Sequence, residues 1–303
     1  MSLTKRELGN YLIGFAFVLL MVTTATLRHD AEIILPEIAA LTTGTWIYQN
    51  KTWIRQPIKL FLAPSGTAVI GFLVNQATIS YPEKVLLTLV LILILLRILN
   101  STLAPAFATG LLPIIINATH WSFILAIFLF TALLMLGVLI QGHYKGLPAG
   151  HPLRFSHMLG FSLTALLWVI IVWACGYPQM AGIPPVLVVF FEVSQMPTYS
   201  VKLAIKHVIA LGGAATIGVL VHLLLASWLL TTLISLPLVF VLLQLLRVKL
   251  PAAYAFPLLA LVLPISMFHR LPLSAFLAAT FFLGTVVIYR QLQSRLQVTI
   301  END

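Results

Sequence analysis

KLFLAPSGTAVIGFLVN, Lys59 to Asn75, returns as KHVIALGGAATIGVLVH, Lys206 to His222, and this pair decides how the chain is read. In that register Lys59 meets Lys206, Gly66 meets Gly213, Ala68 meets Ala215 and Gly71 meets Gly218. Each stretch is apolar, long enough for a helix, and carries small residues at matched places, as helices do when they pack closely in lipid. Further on, LLRILNSTLAPAFATGLLP, ending at Pro113, resembles LLRVKLPAAYAFPLLALVLP, ending at Pro264, with one residue of slack. Self-similarity at such a distance means that the chain is built twice.

The apolar character extends outward from these stretches to almost the whole chain. Its 303 residues are 60% hydrophobic and 8% charged, with a mean hydropathy of +1.06, which marks an integral membrane protein. A bilayer core about 30 Å thick needs roughly 20 apolar residues per helix, fewer where a broken helix is buried in a bundle. Twelve candidate spans follow: 11–27, 31–48, 58–77, 84–99, 103–118 and 121–140, then 157–176, 181–195, 203–224, 227–246, 251–267 and 272–290. The expected architecture is an all-α polytopic membrane protein of two six-helix repeats, 1–140 and 156–303, joined by a polar linker, 141–155. Six is even, so the repeats have the same orientation and are related by an axis along the membrane normal.

Basic residues orient this plan, because cytoplasmic loops retain Lys and Arg. With the N-terminus inside, the inner side holds Lys5, Arg6, Lys51, Arg55, Lys59, Arg97, Lys145, Arg154, Lys202, Lys206, Arg247, Lys249, Arg290 and Arg295. Those are 14 of the 17 basic residues, leaving Arg28, Lys84 and Arg270 outside. Both termini are therefore expected in the cytoplasm. The formal charge of +9 reflects orientation and anionic headgroups rather than nucleic acid. Lys5 and Arg6 before an apolar run also fit a secretory signal, but the counterpart at 157–176 favours a retained span. No transit peptide rich in Arg and Ser precedes that span, which points to a bacterial cell membrane. The single Cys175 excludes an internal disulfide and is expected as a small packing residue near a helix end.

Prolines single out the second and fifth spans of each half: Pro36, Pro105 and Pro113, then Pro184, Pro185, Pro251, Pro257 and Pro264. A proline inside a helix frees a carbonyl, which in lipid must be satisfied by protein or by a water-filled cavity. Short, proline-interrupted segments at matching places of two repeats point to a transport site, although kinked helices also serve packing alone. The candidate site residues on these spans are Pro36, Thr42, Thr43, Gly44, Pro105, Thr109, Pro184, Pro185 and Pro257. The matched glycines of the third spans, Gly66, Gly71, Gly213 and Gly218, read first as close packing and second as substrate-facing.

Acidic residues are scarce. Glu32 sits at an outer edge, whereas Glu37, in LPEIAALTTGTW, and Glu192, in VVFFEVSQMP, fall inside matching spans without aligning residue for residue. A carboxyl inside a membrane is a functional candidate, most naturally for proton coupling. The alternatives are that Glu37 reaches the outer interface and that Glu192 pairs with Lys202 or Lys206. Lys59 and Lys206 read as positive-inside anchors, or as attractants for an anion if the pore is there. The histidines have no metal-binding spacing, so no metal is expected, and His207 and His222 read as hydrogen-bonded packing residues. Trp46, Tyr48 and Trp53 on one side and Trp121, Trp173, Tyr177 and Trp228 on the other form interfacial belts.

QPIKLFLAPSGTAVIG, Gln56 to Gly71, resembles the HPP family of membrane proteins, in which a Gln-Pro pair is followed by a small residue, Ala and Gly. Pro36 with Ala39 and Ala40 is similar to the family's preceding segment, and Ser101 to Pro113 to its later one. Ala104 and Ala106 stand where the name-giving His-Pro-Pro would begin and end, and only Pro105 remains. The resemblance covers about residues 10–118 well and the second half weakly, and implies a multi-span bundle and, from some members, passage of nitrite-like anions. A second resemblance, to the aromatic acid exporter and fusaric acid resistance superfamily, rests on six-span units with a Pro/Ala-rich second span and a Gly-rich third.

The expected function is therefore a transporter or permeation pathway for a small anion or organic acid, with Glu37 or Glu192 coupling protons. The alternative is a non-catalytic membrane partner subunit. No nucleophile with a neighbouring base and no phosphate-binding loop is present, so neither catalysis, nor a cofactor, nor ATP-driven pumping is expected. The partners implied are the lipid bilayer, a small anionic solute, and either a second copy or a partner subunit.

Overall fold

The computed structural model describes residues 4–148 and 155–302, with the side chains of 294–302 left aside. Residues 149–154 of the linker, with His151 and Arg154, and the Arg295 side chain thus lie outside the described residues. The protein is 80% helical, and no strand occurs among the described residues. Six helices are long and apolar enough to cross a membrane: α1 (Lys5–Arg28), α7 (Trp121–Gln141), α8 (Phe155–Ala174), α10 (Val201–Leu225), α11 (Trp228–Leu246) and the Leu271–Gln293 portion of α14 (Leu271–Asn302). The others are α2 (Pro36–Thr42), α3 (Lys51–Ile54), α4 (Lys59–Asn75), α5 (Tyr81–Ile98), α6 (Ala106–Ile115), α9 (Pro184–Ser194), α12 (Ala255–Val262) and α13 (Ile265–Phe268).

Prolines explain the short ones. Pro36 and Pro184 each occupy the first turn of their helix, where a missing N–H costs nothing and the fixed φ suits the helix; the same residue mid-helix costs about 3 kcal/mol. The chain therefore breaks before them. The proline-interrupted stretches at 31–48 and 181–195 each form a 3₁₀ turn at or just before their start (Ala31–Ile33 and Pro178–Met180), an extended residue before the proline (Leu35 and Ile183), and a short helix. The fifth stretches break likewise: α6 starts after Pro105, and α12 follows a 3₁₀ turn at Pro251–Tyr254 and ends before Pro264. After α2 the helix widens into a π turn, Thr43–Ile47. Hydroxyls of Thr42, Thr43 and Thr45 donate back to the carbonyls of Ile38, Ala39 and Leu41, at 2.6, 2.8 and 2.7 Å, which loosens the regular ladder.

Burial sorts the helices into two shells. Every residue of α2 and α6 is buried, as is nearly all of α9 and α12, so the irregular backbone at their ends is enclosed by protein. The long helices surround them and turn Leu12, Leu125, Leu163, Leu224 and Ile234 outward, an apolar perimeter suited to lipid. The shells are connected in matching fashion. Helix α4 packs on α5, α6 and α7, as α10 packs on α11, α12 and α14. Across the centre α2 lies against α12 and α6 against α9, while α1 meets α11 and α5 meets α8.

The tightest approaches occur at glycine. A Cβ on Gly71 would overlap the carbonyl oxygen of Gly110, and one on Gly218 would come within 2.6 Å of the Pro257 Cα. The packing reading of these glycines is therefore the one the structure realises. Cys175 differs from expectation: it lies just past the end of α8 and is exposed.

Candidate functional site

At the end of the bundle where α3, α9, α11 and α14 meet, a vestibule of about 1400 Å³ opens between residues of both halves of the chain. Its wall includes Asn50, Thr52, Arg55 and Thr102 from the first half and Val189, Glu192, Val193, Arg247, Lys249 and Arg290 from the second. Among the described residues, four basic side chains thus face a single carboxylate. Low-dielectric walls strengthen their combined field, so the vestibule is a region of positive potential.

Each basic group is held differently. Arg55 Nη2 donates to Thr102 Oγ1 at 2.9 Å, and Lys249 Nζ lies 5.7 Å from the ring centre of Tyr48. Arg247 terminates α11 in the left-handed region, with φ at 53°. Arg290, on α14, donates through Nη2 to the carbonyl oxygens of Ser194 and Met196, at 3.0 and 2.6 Å, and through Nη1 to Gln293 Oε1 at 3.0 Å. Its Nε is buried and has no hydrogen-bond partner among the described residues.

Glu192 is the one predicted site residue that lines the vestibule. Its Oε1 accepts from Trp53 Nε1 at 2.8 Å, rather than from Lys202 or Lys206 as in the alternative reading. The difference follows from α3: this single turn carries the Trp53 ring inward until it rests on Gly44, where a Cβ would overlap the indole. Trp53 is 2% exposed, so it belongs to the core rather than to an interfacial belt. His207 also reaches the vestibule, and its Nδ1 lies 3.0 Å from the Tyr199 hydroxyl.

A second, much smaller cleft of about 20 Å³ approaches from the opposite end, between Gly182, Pro184, Leu259, Arg270 and Leu271. Helix α9 touches both openings, Pro184 at the cleft and Val189 at the vestibule. Five residues of helix separate them, a rise of about 7.5 Å.

The remaining candidates lie elsewhere. Glu37 is fully buried in the first turn of α2, and neither carboxyl oxygen has a hydrogen-bond partner. An ionised carboxylate in such an enclosure costs several kcal/mol unless a proton or a cation accompanies it. Pro36 and Pro185 are buried beside their helix starts, and Pro105 caps α6. Thr109 Oγ1 is 2.6 Å from Thr67 Oγ1, joining α6 to α4. Pro257 packs on Gly218, and Lys59 Nζ donates to the Asn100 carbonyl at 2.7 Å. Neither Lys59 nor Lys206 lines the vestibule. No group of three or more His, Cys, Asp or Glu suited to a metal occurs among the described residues.

Sequence reasoning treated Arg55, Arg247, Lys249 and Arg290 only as orientation signals. No signal in the sequence separates these four from Lys51, Arg97 or Lys202, which flank breaks at the same end. No protein-family model, curated protein or solved structure matches the chain.

Proposed function

We propose that the protein is a membrane transporter for a small anion or organic acid, with a pathway running from the vestibule along α9 between two repeated halves. The observation that carries the reading is the vestibule itself: four basic side chains and one carboxylate, separated by about 7.5 Å of α9 from a cleft at the other end. An opening wide on one side and closed on the other is the form an alternating-access carrier takes at rest.

Several features support a chain of twelve crossings in two parallel six-helix repeats. Gly71 meets Gly110 and Gly218 meets Pro257; both members of the second pair lie 147 residues after those of the first. Gly66 faces Leu95 and Gly213 faces Leu242 at the same interval. The crossed contacts, α2 with α12 and α6 with α9, are those that a two-fold axis along the membrane normal requires. In the fifth stretch this interval sets Gly110 beside Pro257, a register different from the one that aligns Pro113 with Pro264. The basic vestibule faces the cytoplasm of a bacterial cell if the distribution of Lys and Arg sets orientation, with both termini on that side. The resemblance to the HPP family favours a nitrite-like solute. Protonation of Glu37 or Glu192 couples transport to the proton gradient, because each carboxyl lies where a free charge is costly.

The test is flux into proteoliposomes with an internal pH dye, offering nitrite, nitrate, formate, acetate and benzoate to the unaltered protein and to Glu37→Gln and Glu192→Gln. Substrate-specific proton movement that either substitution abolishes is the expected result. Silence across the panel with well-folded protein would sink the reading and favour a partner subunit without transport of its own.

A further inference from the structure

The most unusual hydrogen bonding in the vestibule is that of Arg290. Its guanidinium spends Nη2 on two main-chain carbonyls, those of Ser194 and Met196, which close the vestibule end of α9. The end carbonyls of a helix have no partner within it, so the arginine serves as their cap. Meanwhile Nε, which with Nη2 forms the edge that pairs side by side with an oxyanion, has no partner among the described residues. The same helix is tied from the first half by Trp53 through Glu192 Oε1. Helix α9 is also the wall between vestibule and cleft. Capping the wall and offering an anion-binding edge are thus assigned to one side chain.

We infer that Arg290 is the residue that recognises the anion, and that binding exchanges its bonds to Ser194 and Met196 for bonds to the ligand, freeing the vestibule end of α9. The inference rests on the transport reading and adds a specificity-determining residue and a trigger to it. The ligand class is an oxyanion with two acceptor oxygens. A neutral carbonyl competes poorly with such a group for a guanidinium, since charge-assisted bonds are roughly twice as strong as neutral ones. The exchange therefore runs toward the ligand. Arg55, Arg247 and Lys249 raise the local anion concentration, but no hydrogen bond described here joins them to α9.

The experiment is hydrogen–deuterium exchange of the segment Phe191–Met196 in nanodiscs of phosphatidylcholine alone, with and without sodium nitrite, acetate or benzoate. The unaltered protein is expected to exchange this segment about tenfold faster when an effective anion is present, as two bonds to the cap are given up. Arg290→Gln is expected to exchange fast from the outset and to show no anion response. Arg290→Lys keeps a positive charge without the fork, and shows a response weakened severalfold. Lys5→Gln, at an exposed position of α1 outside the vestibule, is a folded control and leaves the exchange of the segment unchanged in the absence of anion. Equal exchange in the unaltered protein and Arg290→Gln would overturn the inference, as would an anion response that survives Arg290→Gln. A response seen only after phosphatidylglycerol is added would assign the edge to a lipid headgroup and overturn it as well. Flux separates the two proposals. Transport undiminished in Arg290→Gln refutes this inference alone, whereas an Arg290-dependent response without flux upholds it and refutes transport.

Discussion

Gly218→Ala measures the closest approach in the second half of the bundle. The new methyl carbon would stand 2.6 Å from the Pro257 Cα and 3.2 Å from the Phe256 carbonyl oxygen. Carbon atoms rest about 3.5–4.0 Å apart, so α10 and α12 must part by about 1 Å. Neither side gives easily: the obstacle is backbone at a proline, and α10 is also packed on α11 and α14. Overpacking of this kind costs about 1–3 kcal/mol, against about 1 kcal/mol gained in helix propensity. Gly160, on an exposed face of α8, has nothing within 4 Å of an added Cβ, so Gly160→Ala receives the gain without the clash. The two substitutions should therefore differ by about 1–3 kcal/mol in opposite directions from the unaltered protein. Thermal melts in detergent, followed by loss of the monodisperse peak, should rank Gly160→Ala highest and Gly218→Ala lowest. Gly71→Ala, which would overlap the Gly110 carbonyl, should fall at least as low as Gly218→Ala. If Gly218→Ala melts with Gly160→Ala, the close approach is not a feature of the protein and the 147-residue correspondence loses its support.

Glu37→Leu should raise thermal stability by about 1–3 kcal/mol, because it removes a buried acid with two unbonded oxygens, while abolishing proton-coupled uptake. Stability that rises as function is lost would mark Glu37 as retained for its chemistry; a fall in both would make it structural. Trp53→Phe deletes the donor to Glu192 Oε1 and should cost about 1–2 kcal/mol. A double-mutant cycle with Glu192→Leu, which removes the acceptor, should recover much of that loss as coupling, and strict additivity would refute the bond. Arg247→Gln combined with Lys249→Gln should raise the KM of uptake severalfold and flatten its dependence on ionic strength, as expected when charges that attract an anion are removed. An unchanged salt dependence would place the entry route elsewhere.

How much was legible beforehand differs from residue to residue. Pro36 and Pro184 announce a helix start wherever they stand, since the missing N–H and fixed φ are local properties; the breaks in the second stretches could thus be located before any packing was known. The sequence also shows that Gly71 and Gly218 are small, and that small residues in apolar helices favour contact. It does not show that the contacts are a carbonyl at Gly110 and the backbone of Pro257, because those lie 39 residues further along the chain in each half. Trp53 was misplaced for a similar reason. A tryptophan near a helix end ordinarily sits at the interface, and only the packing of α3 against the π turn draws it onto Gly44 and within reach of Glu192.

The candidate site was less legible than the fold. Glu192 stood out because a carboxyl in an apolar run is conspicuous in one dimension. Arg55, Arg247, Lys249 and Arg290 did not, since each looks like an ordinary anchor at the end of an apolar stretch. Composition and hydrophobic run length fix a helical, membrane-embedded chain, because transfer of apolar side chains and satisfaction of backbone hydrogen bonds are additive and local. Proline fixes where the helices break for the same local reason. The vestibule, the bond between Trp53 and Glu192, and the capping of α9 by Arg290 were decided only by tertiary structure. Each joins residues separated by about 90 positions or more, and no local energy term relates them until the helices have packed.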